Sequence, residues 1–264
     1  MESPKIDYIQ SKDNKTIKHI ISLQQRKYRQ KFGEYTVEGI RAVTDIGKKH
    51  FLRSILIRES KRSELEPLMQ KGFTISSVYV VQDPIFDKIE HSVNGQGILG
   101  IAKKCVNDLH SLIVEDGLYV ALDGVQDPGN LGTIIRTAVA AGAKGIFLLK
   151  GTVDPYNEKC VRSTMSALCN IPIFEDITLS EFYDFIKDNT IKTYVTSLEN
   201  AKPYHTISYP KRTMIILGNE GNGVSREIIE MCDQAITIPM YGDIESLNVS
   251  IAAALCMYKV REQI

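Results

Sequence analysis

The stretch YVALDGVQDPGNLGTIIRTAVAAGAKGIFLL, residues 119–149, decides the architecture. It opens on an apolar run, Tyr119–Val125, of the length of a buried strand. A Pro128–Gly129 turn follows, with Asn130 placed as the N-cap of a helix over Leu131–Ala141. Gly145–Leu149 is a second apolar strand. Strand, helix and strand in this order predict a parallel sheet covered on both faces.

The alternation continues on both sides. Downstream, strands are expected at Thr193–Ser197, Thr213–Leu217 and Ala235–Ile238, and helices at Glu158–Leu168, Leu179–Lys187, Arg226–Cys232 and Leu247–Val260. Upstream lies a smaller α/β unit. Its expected strands are Tyr35–Val37, Ser54–Ile57, Val78–Val81 and Gly97–Ala102. Its expected helices are Ile40–Lys49, Ser63–Lys71 and one starting at Asp83–Pro84. Residues 15–31, KTIKHIISLQQRKYRQK, read as one amphipathic basic helix. The reading divides the chain into a domain over 1–105, a connector over 106–117 and a second domain over 118–264.

Composition narrows the function classes. With 43% hydrophobic and 24% charged residues the 264-residue chain is an ordinary globular sequence, neither disordered nor fibrous. Its formal net charge is zero, from 32 basic and 32 acidic residues, which argues against a uniformly polyanion-binding surface. The distribution is uneven, however. Residues 1–62 hold 15 Lys/Arg against 7 Asp/Glu, a net of +8, and the rest carries −8. A basic first quarter suits contact with a polyanion. The five cysteines are odd in number and form no CxxC, so neither a disulfide framework nor a zinc site is expected. The five histidines are scattered without metal-ligand spacing, and no metal is expected. No apolar run approaches the ~20 residues that span a bilayer, and the start of the chain lacks a secretory signal, so a cytoplasmic protein is expected.

Three loops that follow strands carry the chemistry. DGVQDPGN, 123–130, leads into the helix bearing Arg136, a cation about 1.7 turns into an otherwise apolar helix. ILGNEGNGVS, 216–225, gathers three glycines and two asparagines around Glu220. Such a backbone can approach a ligand closely. IPMYGDIESLN, 238–248, places Ser246 and Asn248 at the start of an apolar helix. Neither a P-loop nor a GxGxxG fingerprint is present. Ligands of open parallel sheets bind outside the carboxyl ends of strands, where all three loops lie.

The segments Asn130–Arg136, Leu217–Gly223 and Ile238–Asn248 match, in order, the three motifs of the SpoU-type (TrmH-like) RNA ribose methyltransferases, which the chain resembles along its whole length. VEGIRAV (37–43) and GQGILGIA (95–102) resemble that family's N-terminal RNA-binding domain. One departure stands at 159–166, where the family often has Lys-x-x-Arg-Ala-Ser-x-Gly. This chain reads KCVRSTMS, with Ser166 for the glycine.

The resemblance implies an α/β enzyme whose C-terminal parallel-sheet domain holds a deep trefoil knot, S-adenosyl-L-methionine as cofactor, and a homodimer. It implies methylation of a ribose 2′-hydroxyl, with ribosomal RNA the first expectation. Transfer RNA, a resistance-conferring ribosomal site, or a non-catalytic role in ribosome assembly are the alternatives. By resemblance Arg136, Asn130, Glu220, Ser246 and Asn248 are catalytic, and Thr196, Leu217, Gly218, Ile238, Met240 and Leu247 hold the cofactor. Arginine stays protonated at neutral pH, which favours Arg136 as a phosphate grip and charge stabiliser over a base. Glu220 either accepts the proton or fixes loop geometry. Lys18, Arg26, Lys27, Tyr28, Arg29, Lys31 and Arg41 are the expected RNA contacts, Tyr28 by stacking.

Overall fold

The computed structural model describes residues 4–73, 75, 77–92 and 95–264. The chain forms two compact units, one of residues 1–105 with 156–169 and one of 106–155 with 170–264.

The first unit comprises β1 (Lys5–Ile9), α1 (Lys15–Ser22), α2 (Arg26–Phe32), β2 (Glu34–Glu38), α3 (Ile40–Lys48), β3 (Leu52–Arg58), α4 (Leu65–Met69), β4 (Ser77–Val81), α5 (Asp83–Phe86) and β5 (Ile98–Lys103). Its sheet runs β1-β4-β3-β5-β2, with β5 antiparallel to both neighbours. Ile17, Ile20 and Phe86 pack with Leu56 and Leu99 in one cluster. Val43, Leu65 and Leu68 pack with Ile55 and Val80 in another. The alternation along β3 sends neighbouring side chains to these two clusters.

The basic stretch 15–31 is two helices rather than one. Asn14 caps α1 through Thr16 N at 2.8 Å. Helical bonding stops at Leu23, and Arg29 holds the break by donating to the carbonyls of Leu23 and Gln24, both at 2.8 Å. β1 lay outside the sequence reading because KIDYI is an exposed edge strand with little apolar signal. The expected helix over Ser63–Lys71 is shorter, a 3-10 turn over Glu59–Glu64 followed by α4.

A further helix, α6 of the second unit, precedes the α7 helix (Glu158–Ser163) that returns to the first unit. α6 spans Pro128–Ala140. After α7 the backbone turns left-handed at Met165 and Ser166, with φ of 49° and 74°. Position 166 thus has a conformation that glycine adopts freely and serine only at a cost. The Ser166 hydroxyl is also buried without a hydrogen-bond partner. Ser166→Gly should raise stability by about 0.5–1 kcal/mol, net of the extra freedom that glycine gives the unfolded chain. A higher denaturant midpoint at unchanged slope would show this.

The second unit holds β6 (Gly117–Asp123), β7 (Gly145–Leu149), β8 (Ile173–Ile177), α8 (Leu179–Asp188), β9 (Lys192–Thr196), β10 (Lys202–Pro203), β11 (Arg212–Gly218), α9 (Arg226–Met231), β12 (Gln234–Thr237) and α10 (Val249–Arg261). All seven strands are parallel, in the order β10-β12-β9-β11-β6-β7-β8. β7 is buried throughout and β6 up to Asp123, as continuous apolar strands require. Phe182, Phe185 and Ile186 of α8 and Ile228 of α9 cover one face with Tyr119, Phe147, Phe174 and Met214. α6 and α10 pack together, and α10 also lies on β6 and β11. Among the described residues no helix is long and apolar enough to cross a membrane.

Candidate active site

The carboxyl ends of β12, β9, β11 and β6 are adjacent in the sheet, so the loops that leave them share one edge. Gly218 ends β11 opposite Asp123, which ends β6. After Gly218 the chain folds back on itself. Asn219 N donates to Gly223 O at 2.8 Å and Gly223 N returns the bond at 3.0 Å. Gly223 has φ +69°, the left-handed value that closes this turn. A Cβ on Gly218 would lie 2.1 Å from the Gly223 carbonyl carbon, so only glycine fits there.

The Asn219 side chain ties this loop to the next. Its amide donates to Gly124 O at 2.8 Å, and its oxygen accepts from Gly221 N and Asn222 N. Asp123 accepts from Ser225 N at 2.7 Å, closing the far side.

Glu220 projects from the turn to the start of α6. Its oxygens accept from Gln126 N and Asp127 N, both at 3.2 Å, and from Asn130 Nδ2 at 3.0 Å. Asn130 Oδ1 in turn accepts from Asn248 Nδ2 at 3.0 Å. Asn248 Oδ1 accepts from Ser250 N at 2.9 Å and so caps α10. The direction of this chain is forced. A carboxylate only accepts, so Asn130 presents its amide nitrogen to Glu220 and its oxygen to Asn248. Both amides are thereby oriented by chemistry. Partial burial pushes the Glu220 carboxyl up, but the Asn130 amide and the backbone N–H groups of Gln126 and Asp127 outweigh it and hold the group below the usual carboxylate range.

One expectation about this sheet edge needs correction. Asn130 does not cap α6. Asp127 does, accepting from Asn130 N at 2.9 Å, with Pro128 in the first turn. The cap begins the helix earlier and frees the Asn130 amide for the chain to Glu220 and Asn248. Asp-Pro-Gly carried that signal, since Pro is favoured just after an N-cap. Arg136 stands exposed on α6, with no hydrogen bond or ion pair among the described residues. Ser246 is exposed, outside the amide chain.

A cavity of about 370 Å³ is lined by Ile238, Met240 and Leu247, with Tyr204, His205 and Leu255. Tyr204 and His205 were absent from the sequence reading, as nothing in YHT signals a site. Leu217 and Gly218 are buried at the end of β11 and do not line it. The Thr196 hydroxyl donates to Ile216 O at 3.3 Å, inside the sheet.

In the first unit, Lys27 and Lys31 are exposed, each above an aromatic ring, Tyr28 and Phe32 respectively. Lys18 pairs with Asp13 at 2.9 Å and Arg41 with Asp45 at 3.8 Å. Arg26 is half-buried. Arg29 is 4% exposed and its guanidinium closes the helix break, which corrects its reading as a surface contact.

Residues 117–258 match the SpoU rRNA Methylase family. The chain belongs to the SpoU rRNA methylase family. Residues 14–100 match the MRM3-like substrate binding domain. A relative from Bacillus subtilis, 23S rRNA (guanosine(2553)-2'-O)-methyltransferase RlmP, is 33% identical over 96% of this chain and 98% of its own. The crystal structure of an AdoMet-bound rRNA methyltransferase from Sinorhizobium meliloti superposes with a TM-score of 0.88 at 30% identity, covering 98% of each chain. A crystal structure of an RNA 2'-O ribose methyltransferase superposes with a TM-score of 0.82 at 25% identity, over 98% of this chain and 99% of that one. The matched span contains all three loops that meet at the sheet edge.

Proposed function

We propose that this SpoU-family protein methylates a ribose 2′-hydroxyl in ribosomal RNA, with S-adenosyl-L-methionine as methyl donor. The observation that carries the reading is the directional chain Glu220–Asn130–Asn248, which joins the three motif loops. The donor fits the residues present. The cavity is of ligand size, mainly apolar, and walled by the 238–247 loop. Ile238, Met240 and Leu247 would hold it. When bound, it supplies a methyl group on a sulfonium whose departure as a neutral thioether calls for no acid.

The chain's own residues then have to make a hydroxyl nucleophilic and hold it in line. Arg136, a cation without a partner among the described residues, grips the target phosphate and stabilises negative charge developing on the 2′-oxygen, whose proton passes to solvent water. Asn130 and Asn248 fix the loops around the ribose, and Ser246 is free to meet it. Glu220 is a positioning residue, because a carboxylate held below its ordinary range is a weaker base than a free one. It stays ionised above the usual carboxylate range, and its bonds would weaken only as pH falls through its lowered value. Glu220→Gln should therefore lower kcat by about 10–100-fold and leave the shape of the pH–rate profile between about pH 4 and 9 unchanged. Loss of an acidic limb would make Glu220 the base instead.

Incubating the enzyme with unmodified ribosomal RNA and labelled donor, then mapping the label, tests the activity. A label on a base, or none on ribosomal RNA, would reject the reading.

The first domain, 1–105, would hold the RNA and the second, 118–264, would carry the catalysis, joined by residues 106–117. A trefoil knot is supported by the order of strands. β11 follows β9 in the chain yet lies between β9 and β6, so the chain re-enters the middle of the sheet. A homodimer is supported by Ile251, Leu255 and Tyr258 on one face of α10, which are 50%, 38% and 48% exposed. Sedimentation should find a dimer at micromolar concentration, and Ile251→Glu should leave a monomer. Five free thiols and an RNA substrate suit a cytoplasmic enzyme.

A further inference from the structure

A second cavity, of about 590 Å³, lies within the first unit. Lys15 and His19 of α1, Phe32 of α2, Glu34 of β2, Arg53 of β3 and Tyr79 of β4 line it. The SpoU motifs do not reach it. None of these six residues was among the expected RNA contacts.

The lining combines three features. First, Phe32 is 42% exposed although it is a large apolar ring, with the His19 ring edge-on to it at 4.8 Å and Tyr28 stacked behind at 6.1 Å. Such a supported, partly exposed ring is a stacking surface for an unpaired base. Second, the rim is cationic. Lys15, Lys31 and Arg53 are exposed and Lys31 sits over the Phe32 ring at 5.5 Å. Third, a carboxylate lies inside. The Glu34 side chain is only 6% exposed, and it accepts from His19 Nε2 at 2.6 Å through one oxygen and from Arg53 through the other. Each oxygen keeps a further lone pair.

We propose that this cavity takes one unpaired guanine nucleotide of the RNA, distinct from the one that is methylated. The base stacks on Phe32, the backbone phosphate meets Lys15 and Lys31, and Glu34 faces the Watson–Crick edge. Guanine alone offers adjacent imino and amino N–H groups to the two oxygens of a carboxylate. Adenine and uracil each place an acceptor beside their donor, which a carboxylate repels. Cytosine does the same, with its N3 acceptor beside the amino group. The proposal rests on RNA being the substrate, and it names what the first unit reads.

The test uses the full chain and two probes. Guanosine 5′-monophosphate and uridine 5′-monophosphate are titrated by ligand-observed NMR, against wild type, Phe32→Ala and Lys15→Glu. The guanine nucleotide should bind wild type several-fold more tightly than the uracil one, and Phe32→Ala should abolish the signal. Unmodified ribosomal RNA is then used in methyl transfer. Phe32→Ala and Lys15→Glu should each raise KM about 5–100-fold, the range of one lost stacking or phosphate contact, with kcat within twofold. Equal binding of the two nucleotides, or an unchanged KM in Phe32→Ala while wild type methylates RNA, overturns the proposal. If wild type methylates nothing but binds guanosine monophosphate through Phe32, the cavity stands and the assigned reaction falls.

Discussion

Arg136→Ala should lower kcat for methyl transfer by about 10²–10³-fold and leave donor affinity within twofold. The expectation follows from where the side chain is and what it lacks. It stands exposed on α6, with no ion pair among the described residues, so its charge is not committed to holding the fold. The cavity proposed for the donor is lined by other segments, chiefly 238–247. A loss of stability is therefore not expected, since the residue is a solvent-facing position on a helix whose buried side is Leu131, Ile134, Ile135 and Ala138. Arg136→Lys should recover only part of the rate, because an ammonium cannot reproduce the fork that a guanidinium presents to a phosphate. Single-turnover kinetics with a calorimetric titration of the donor separate the two quantities. Near wild-type turnover in Arg136→Ala would remove the residue from the mechanism.

Gly218→Ala should be the most damaging single-methyl change in the second unit. The added Cβ would meet the Gly223 carbonyl carbon at 2.1 Å, its oxygen at 2.2 Å and Val224 N at 2.2 Å. All three are backbone atoms, so no side chain can swing aside. Relief requires opening the turn that Asn219 and Gly223 close, and with it the placement of Glu220. Overpacking of this kind costs about 1–3 kcal/mol, and here the active loop takes the strain. A thermal melt should show a drop of several degrees, and donor binding should be lost at concentrations that saturate wild type. Unchanged binding would mean that the turn reforms around the methyl group.

Much of this was legible in the residues. The parallel strands β7 and β11 announced themselves as unbroken apolar runs, and the three loops as polar, glycine-rich breaks after them. β8 escaped because IFEDI mixes acids with apolar residues, and β10, two residues long, has no pattern to find. The break between α1 and α2 was hidden as well. Gln24 and Gln25 are good helix formers, and only the buried Arg29, folded back onto two carbonyls, stops the helix there. In the site, the residue types were readable but their bonding was not. Asn130 and Asn248 are 118 residues apart, and no local rule pairs them. For Glu220 the sequence leaves base and loop anchor open, and the partners that hold its carboxyl below the usual range favour the anchor. The cavity bounded by Phe32 and Glu34 draws on six separate elements of the first unit, so sequence spacing gave no sign of it.

The amide chain also bears on when the enzyme comes into being during synthesis. Asn130 is made early and must wait for Glu220, and then for Asn248, before either end of its side chain is engaged. Chains fold from the N-terminus as they emerge, so the first unit and the strands β6 to β8 can take shape on the ribosome while the three loops are still unjoined. A nascent chain that ends before residue 248 leaves the Asn130 oxygen open and lacks α10 altogether. Truncated or stalled products would then carry an RNA-binding unit without a finished catalytic centre, and methyl transfer would switch on only with the last helix in place.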